Sequence, residues 1–283
     1  MQDFWEISMK IRSRALPYGW YPRSEEEVRS TIEEYERQYP SASRTKSGLA
    51  GIAPHAGWFF SGELAFRVVA SLKPAETCVV IGGHLGSWDS IHLYPHDAFE
   101  TPLGLLEVDA ELRELIRKEF PTTWTDDADN TVEIQLPFVK FCFPSIRVVC
   151  LRCPPNEEAI QLGRVLADQL RKLGRSLIVL ASTDLTHYGP NYGFMPEGVG
   201  EKALQWVREQ NDRGFLEEAL GLNPLGLVSH AEKHKSACSA GAAAVAVSFA
   251  KELNLKGTLL GHSTSWDKHP SPSFVGYGAV VYQ

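Results

Sequence analysis

Short apolar runs rich in Val and Ile recur between longer amphipathic stretches, and no other feature constrains the fold of this chain as tightly. An apolar run of about four to eight residues is buried on both faces when helices cover both sides of a parallel sheet. The alternation therefore predicts an α/β architecture with a mostly parallel central sheet flanked by helices. The expected strands are Gly48 to Ala53, Thr77 to Gly82, Ile146 to Arg152, Ser176 to Ser182, Lys256 to Gly261 and Phe274 to Tyr282. Between them, Asp109 to Lys118 carries acids early and bases late, as a helix dipole favours, and Asn156 is placed to cap a helix reaching about Leu173. The small-residue run in Ala237 to Leu253 predicts a helix packed closely on the sheet, with Cys238 at its start.

No long Pro-, Gly- or Ser-rich linker divides the 283 residues, so one domain spanning 1–283 is expected. A net charge of -7 with interspersed signs argues against a nucleic-acid partner, which needs a basic face. Met1 to Lys10 shows no signal-peptide core and nowhere are there eighteen consecutive apolar residues, so the expectation is a cytoplasmic protein with no membrane partner. Five cysteines, mostly in apolar runs, argue against a disulfide framework. Cys150 and Cys153 form a C-x-x-C, but without a second pair to complete a zinc site.

Ligands of doubly wound sheets bind beyond the carboxyl ends of the strands, so polar residues directly after an apolar run take priority. Four segments qualify: Pro54-His55-Ala56-Gly57, Gly82-Gly83-His84, Ser182-Thr183-Asp184-Leu185-Thr186-His187, and Gly261-His262-Ser263. A single histidine in such a place is more often structural than a ligand. Here His55, His84 and His187 all follow strands and have glycine within two residues, so the imidazoles can share one cleft. Two imidazoles and the Cys238 thiolate suit zinc, iron or copper. The bland alternative for Cys238 is a buried thiol in a small-residue helix.

Asp184 and His187 can carry protons or orient a ligand, although Asp184 also suits a turn cap. Glu133 follows Asn130 by three and can complete a capping box, while Trp20, Tyr21 and Trp58 can wall a pocket or simply fill a core. The histidines at 92, 96, 230, 234, 262 and 269 offer no comparable argument. A P-loop, a G-x-G-x-x-G after a strand, a G-x-S-x-G elbow and an H-E-x-x-H are all absent.

Ala53-Pro54-His55-Ala56-Gly57, Ser182-Thr183-Asp184-Leu185-Thr186-His187 and the late Cys238 resemble the signature segments of the MEMO family. Gly19-Trp20-Tyr21-Pro22, Thr101-Pro102-Leu103-Gly104, Val132-Glu133-Ile134-Gln135-Leu136-Pro137 and Val275-Gly276-Tyr277-Gly278 extend the resemblance over nearly the whole chain. The resemblance implies the fold of the class III extradiol dioxygenases, whose ferrous iron sits between two histidines and a carboxylate, with cysteine replacing the carboxylate. It makes His55, His84 and Cys238 the metal set, with Asp184 and His187 in the same pocket. The chain departs from the family at Gly82-Gly83-His84, where Gly-Pro-x-His is usual, and at Asn130, where histidine is usual. The second departure moves acid–base work toward His187.

Three functions follow as expectations. The first is redox or dioxygenase-like chemistry on iron(II), with copper or zinc as the other candidate ions. The second is a non-catalytic module that binds a peptide or protein in the same cleft, and the third is zinc-dependent hydrolysis. The resemblance further implies a partner from a radical-SAM (AmmeMemoRadiSam) system, and the ligand is a small molecule or a peptide.

Overall fold

In the sequence Thr77-Cys-Val-Val-Ile-Gly, successive side chains of a strand point to opposite faces, so both faces must find apolar partners. They do: Val79 and Ile81 join one buried cluster and Cys78 and Val80 another. The computed structural model describes residues 9–39 and 46–283. Most of the N-terminal stretch read for a signal peptide, Met1 to Ser8, lies outside the described residues.

The chain runs through β1 (Ile11–Arg12), α1 (Glu25–Gln38), β2 (Ala50–Ala53), α2 (Trp58–Ser71), β3 (Thr77–Gly82), β4 (Ile91–Leu93), β5 (Ala98–Thr101) and β6 (Gly104–Glu107). It continues through α3 (Ala110–Glu119), β7 (Thr122–Trp124), α4 (Asn130–Glu133), α5 (Leu136–Cys142), β8 (Arg147–Arg152), α6 (Glu157–Leu173), β9 (Leu177–Ser182) and β10 (His187–Tyr188). Then follow α7 (Glu201–Trp206), a π-turn at Val207–Asn211, α8 (Asp212–Leu220), α9 (Pro224–His234), α10 (Ala240–Glu252), β11 (Gly257–Thr264) and β12 (Phe274–Tyr282).

Nine strands form the main sheet in the order β10-β12-β2-β9-β3-β8-β4-β7, with β11 along the free edge of β12. The central four, β2, β9, β3 and β8, are mutually parallel. Antiparallel pairing begins on either side, at β12 and at β4. The expected parallel character therefore belongs to the centre, where helices cover both faces. The flanking strands β4 and β7 and the small β1-β5-β6 sheet have no long apolar run to announce them.

Helices α6 and α10 cover one face, and α2 and α5 the other. On the second face Trp58 stacks on Phe138 with ring centroids 3.9 Å apart. A stacked aromatic pair of this kind contributes roughly 0.5–1.5 kcal/mol beyond its burial. On the first face the small residues of α10 allow near contact with α6. A Cβ added at Gly163 would stand 2.6 Å from the Val245 carbonyl oxygen and 2.8 Å from the Phe249 nitrogen.

Three local expectations are corrected. Asp129, not Asn130, caps α4, its carboxylate accepting from the Thr131 N–H, because the turn begins one residue earlier. Glu133 completes no capping box. Its carboxylate accepts from the Ala15 and Leu16 N–H groups at 2.9 and 3.0 Å and from the Tyr21 hydroxyl at 2.9 Å. It thereby clamps the segment before α1 to the body of the fold, and burial beside this carboxylate pushes the Tyr21 phenol above its usual range. α10 also starts later than expected, at Ala240, because Cys238 and Ser239 are held by the loop after β9.

Two outcomes are expected from this packing. Gly163→Ala forces α6 from α10 and lowers stability by roughly 1–3 kcal/mol, read as an earlier urea midpoint; an unchanged midpoint contradicts the close approach. Glu133→Ala strands three donors and lowers stability by roughly 2–4 kcal/mol, with trypsin cutting newly at Arg14 or Arg23. Wild-type resistance in that variant contradicts the clamp.

Candidate metal centre

β2, β9 and β3 are adjacent and parallel, so the residues that follow them emerge at one edge of the sheet. His55 comes two residues after β2, His84 two after β3, and Asp184 two after β9. The α9–α10 connection brings Cys238 to the same place, its N–H donating to the Asp184 carbonyl at 3.3 Å. His55, His84 and Cys238 each offer one donor atom, and the three lie within 4.8 Å of one another.

His55 is buried, and its peptide N–H donates to the Asp184 carboxylate at 2.7 Å. One ring nitrogen, Nε2, is 3.2 Å from the Cys238 sulfur; the other, Nδ1, is 3.3 Å from the Ser182 hydroxyl. Gln135 steadies that hydroxyl from 3.0 Å and the Pro54 carbonyl from 2.8 Å. Burial alone would lower the His55 imidazole, but the Cys238 thiolate and the Asp184 carboxylate raise it to about 9.

His84 is the most exposed of the three. Its φ of 60° lies in the left-handed region that a Cβ-bearing residue seldom occupies. The preceding glycines explain how the chain reaches that turn: a Cβ on Gly82 would meet the Thr131 hydroxyl at 1.9 Å, and one on Gly83 the Ser239 side chain at 2.3 Å. The His84 ring stands edge-on to His55, centroids 5.2 Å apart. Its Nδ1 is 3.0 Å from Asp129 Oδ2. Burial opposes the charge on this ring, while the Asp129 hydrogen bond and Cys238 raise it to about 10.

Burial would push the Cys238 thiol up, yet His55, then His84 and His187, hold it well below its ordinary value. A soft anionic sulfur among imidazoles is the expected state of a metal-ligand cysteine. Asp184 is buried, and desolvation raises its carboxyl. The His187 Nδ1 lies 3.2 Å from the Leu185 carbonyl, which can only accept, so its proton is on Nδ1 and Nε2 is the basic nitrogen.

His55, His84, Asp184 and His187 line a cleft of about 450 Å³ together with Trp20, Phe60, Asn130, Tyr192, Val275 and Tyr277, among others. Trp20 and Asn130 both line this cleft, and the Asn130 amide donates to the His55 carbonyl at 3.1 Å. Tyr21 and Trp58 line instead a neighbouring groove of about 740 Å³ that shares Trp20 and Phe60 with the cleft. Glu133 lines neither cavity, being turned toward the N-terminal segment. All five cysteines are free, and Cys150 and Cys153 are buried in strand packing.

Several site residues went unnoticed in the sequence. Ser271 and Ser273 line the cleft, beside Ser265 and His269, from the connection between β11 and β12, beyond the polar residues that directly follow the strand. Asp212, wholly buried, accepts from the Thr186 N–H at 3.1 Å and from His262 Nε2 at 2.8 Å, fixing the loop that carries Asp184 and His187. Only Asp129 left a trace, as an Asp two residues before Thr131 in a capping position.

The family profile described as Memo-like protein matches residues 12–281. A MEMO1 family protein of Methanopyrus kandleri is 31% identical over 295 residues, covering 96% of this chain and 99% of its own. Another, of Pyrococcus abyssi, is 30% identical over 289 residues with coverage of 96% and 99%. Among solved structures, the uncharacterized protein JW3007 from Escherichia coli K12 superposes with a TM-score of 0.55 at 12% identity, over 84% of this chain and 100% of that one, a likeness of fold alone. No helix among the described residues is long and apolar enough to cross a membrane. With the profile and full-length relatives agreeing from end to end, this chain belongs to the MEMO family.

Proposed function

We propose that His55, His84 and Cys238 hold one transition-metal ion, ferrous iron ahead of copper or zinc, for redox chemistry on a small molecule in the cleft. The observation that carries this reading is the donor geometry. Metal bonds of about 2.0 Å to nitrogen and 2.3 Å to sulfur separate those atoms by about 3.1 Å at a right angle and about 3.5 Å at a tetrahedral one. The His55 Nε2 to Cys238 Sγ distance of 3.2 Å falls within that span.

Such an ion supplies Lewis acidity and, as iron or copper, one-electron chemistry at positions the protein leaves open. Asp129 accepts at His84 Nδ1, which leaves that ring's Nε2 lone pair for a ligand bond, and His55 offers its own Nε2 in the tautomer that donates from Nδ1 to the Ser182 hydroxyl. His187 Nε2 takes or returns a proton at the substrate, with its ring held edge-on by Tyr192 at 4.9 Å. Asp184 keeps His55 in place through the peptide N–H, and the rings of Trp20, Phe60 and Tyr192 give the cleft apolar walls. A radical-SAM system component is the partner that fits this chemistry.

The neighbouring groove supports a second reading, a peptide-binding surface, because Tyr18 and Phe59 line it with 86% and 67% of their surface exposed. Binding of a peptide that survives mutation of all three donors would favour that module over the metalloenzyme.

Protein purified without oxygen and offered ferrous iron is expected to take up about one equivalent, with Cys238→Ser losing most of it. At a free ion concentration of 100 times Kd, binding stabilises the fold by about 2.7 kcal/mol, a rise in Tm of roughly 5 °C that a chelator reverses. A wild type that takes up no ion, or a Cys238→Ser variant that loads equally, sinks the assignment.

A further inference from the structure

The strand register that delivers His84 also delivers its support. In the parallel pair β3–β8, Gly82 stands beside Arg152, the last residue of β8, so a guanidinium is brought next to the turn that carries the imidazole. Arg152 Nη1 reaches Asp129 Oδ2 at 3.3 Å, and the same oxygen receives His84 Nδ1 at 3.0 Å. The other oxygen of Asp129 accepts from the Thr131 N–H at 2.9 Å and from the Thr131 hydroxyl. Both side chains are more than nine-tenths buried, Asp129 at 8% exposure and Arg152 at 7%. Arg152 is anchored in turn by Asp127 at 2.9 Å and by His92 Nδ1 at 2.9 Å.

We infer that Asp129 and Arg152 are positioning residues that fix the tautomer and ring direction of His84 for ion binding, an inference that rests on the metal-site reading above. A carboxylate can only accept, so the His84 proton sits on Nδ1 and Nε2 is turned to the pocket shared with Cys238. A carboxylate behind a ligating imidazole sets its orientation and raises its basicity. Arg152 shares that carboxylate, which pins it against rotation and moderates how strongly it draws on the imidazole. His84 needs this more than His55, since it is the exposed member and sits on strained left-handed backbone. An amide at 129 offers one acceptor and one donor where the carboxylate offers two acceptors: an NH₂ facing His84 favours the opposite tautomer, with the proton on Nε2, and one facing Arg152 or the Thr131 N–H loses that contact.

The test is a titration of metal-free wild type, Asp129→Asn, Arg152→Lys and Cys238→Ser with Co²⁺ in the absence of oxygen. It follows ligand-field absorption and competition with a chelator, with the metal-free Tm measured alongside. Asp129→Asn is expected to bind about 10–100-fold more weakly with shifted bands. Arg152→Lys, which keeps the charge but loses the planar fork, is expected to weaken binding several-fold. A purely structural role would lower the metal-free Tm and leave the affinity and spectrum of the folded protein unchanged. Should wild type bind through Cys238 while both variants match its affinity and bands, the inference fails and the metal site stands. Should wild type bind nothing, or Cys238→Ser bind as wild type does, the metal-site reading fails and takes the inference with it.

Discussion

Asp184 is the point at which the site is sewn together. Its carboxylate receives the peptide N–H of His55, and its carbonyl receives the peptide N–H of Cys238 and the hydroxyl of Thr183. One residue thus joins the ends of β2 and β9 to the approach of α10, elements far apart in the chain. The first is a buried bond to a carboxylate, of a kind that contributes about 1.5–3 kcal/mol, and the two to the carbonyl are neutral and contribute about 0.5–1.5 kcal/mol each. Without them the two donors nearest in space would have no fixed relation.

Around that stitch, the sheet decides direction and the helices decide depth. Parallel neighbours β2, β9 and β3 discharge their following residues on one edge. The crossover through α2 lies on one face and that through α6 on the other, which opens a crevice at the edge, as in doubly wound sheets generally. The long strand β12 reaches past the end of β2 to pair with β10, so the loop bearing Asp184 and His187 is backed by a strand. Asp212 holds the loop from its other side.

Much of this was legible because it follows from periodicity. The six long strands, the Asn156-capped helix and the buried small-residue helix are each written in local apolar pattern and capping chemistry. The meeting of His55 and His84 was legible because parallel strands place their carboxyl ends together, whereas Cys238, which follows no strand, joined them through the family resemblance. What could not be read depends on register and long-range pairing. Arg152 beside Asp129, Asp212 behind Thr186, and Glu133 turned toward Ala15 and Leu16 have no local pattern to reveal them. Short edge strands such as β4 and β7 are made by their neighbours more than by their own residues.

On the proposed metal-site reading, the crowding at Gly82 and Gly83 also bears on the speed and selectivity of ion capture. Thr131 and Ser239 occupy the space where side chains would be, so the turn holding His84 cannot slide along its strand. The donors are therefore arrayed by steric exclusion as the sheet folds, before any ion arrives. Capture becomes an exchange of hydration water for donors already in place, with no loop closure to wait for. A rigid cage of this sort sorts ions by their preferred bond lengths and angles, since it cannot reshape itself around a poor fit.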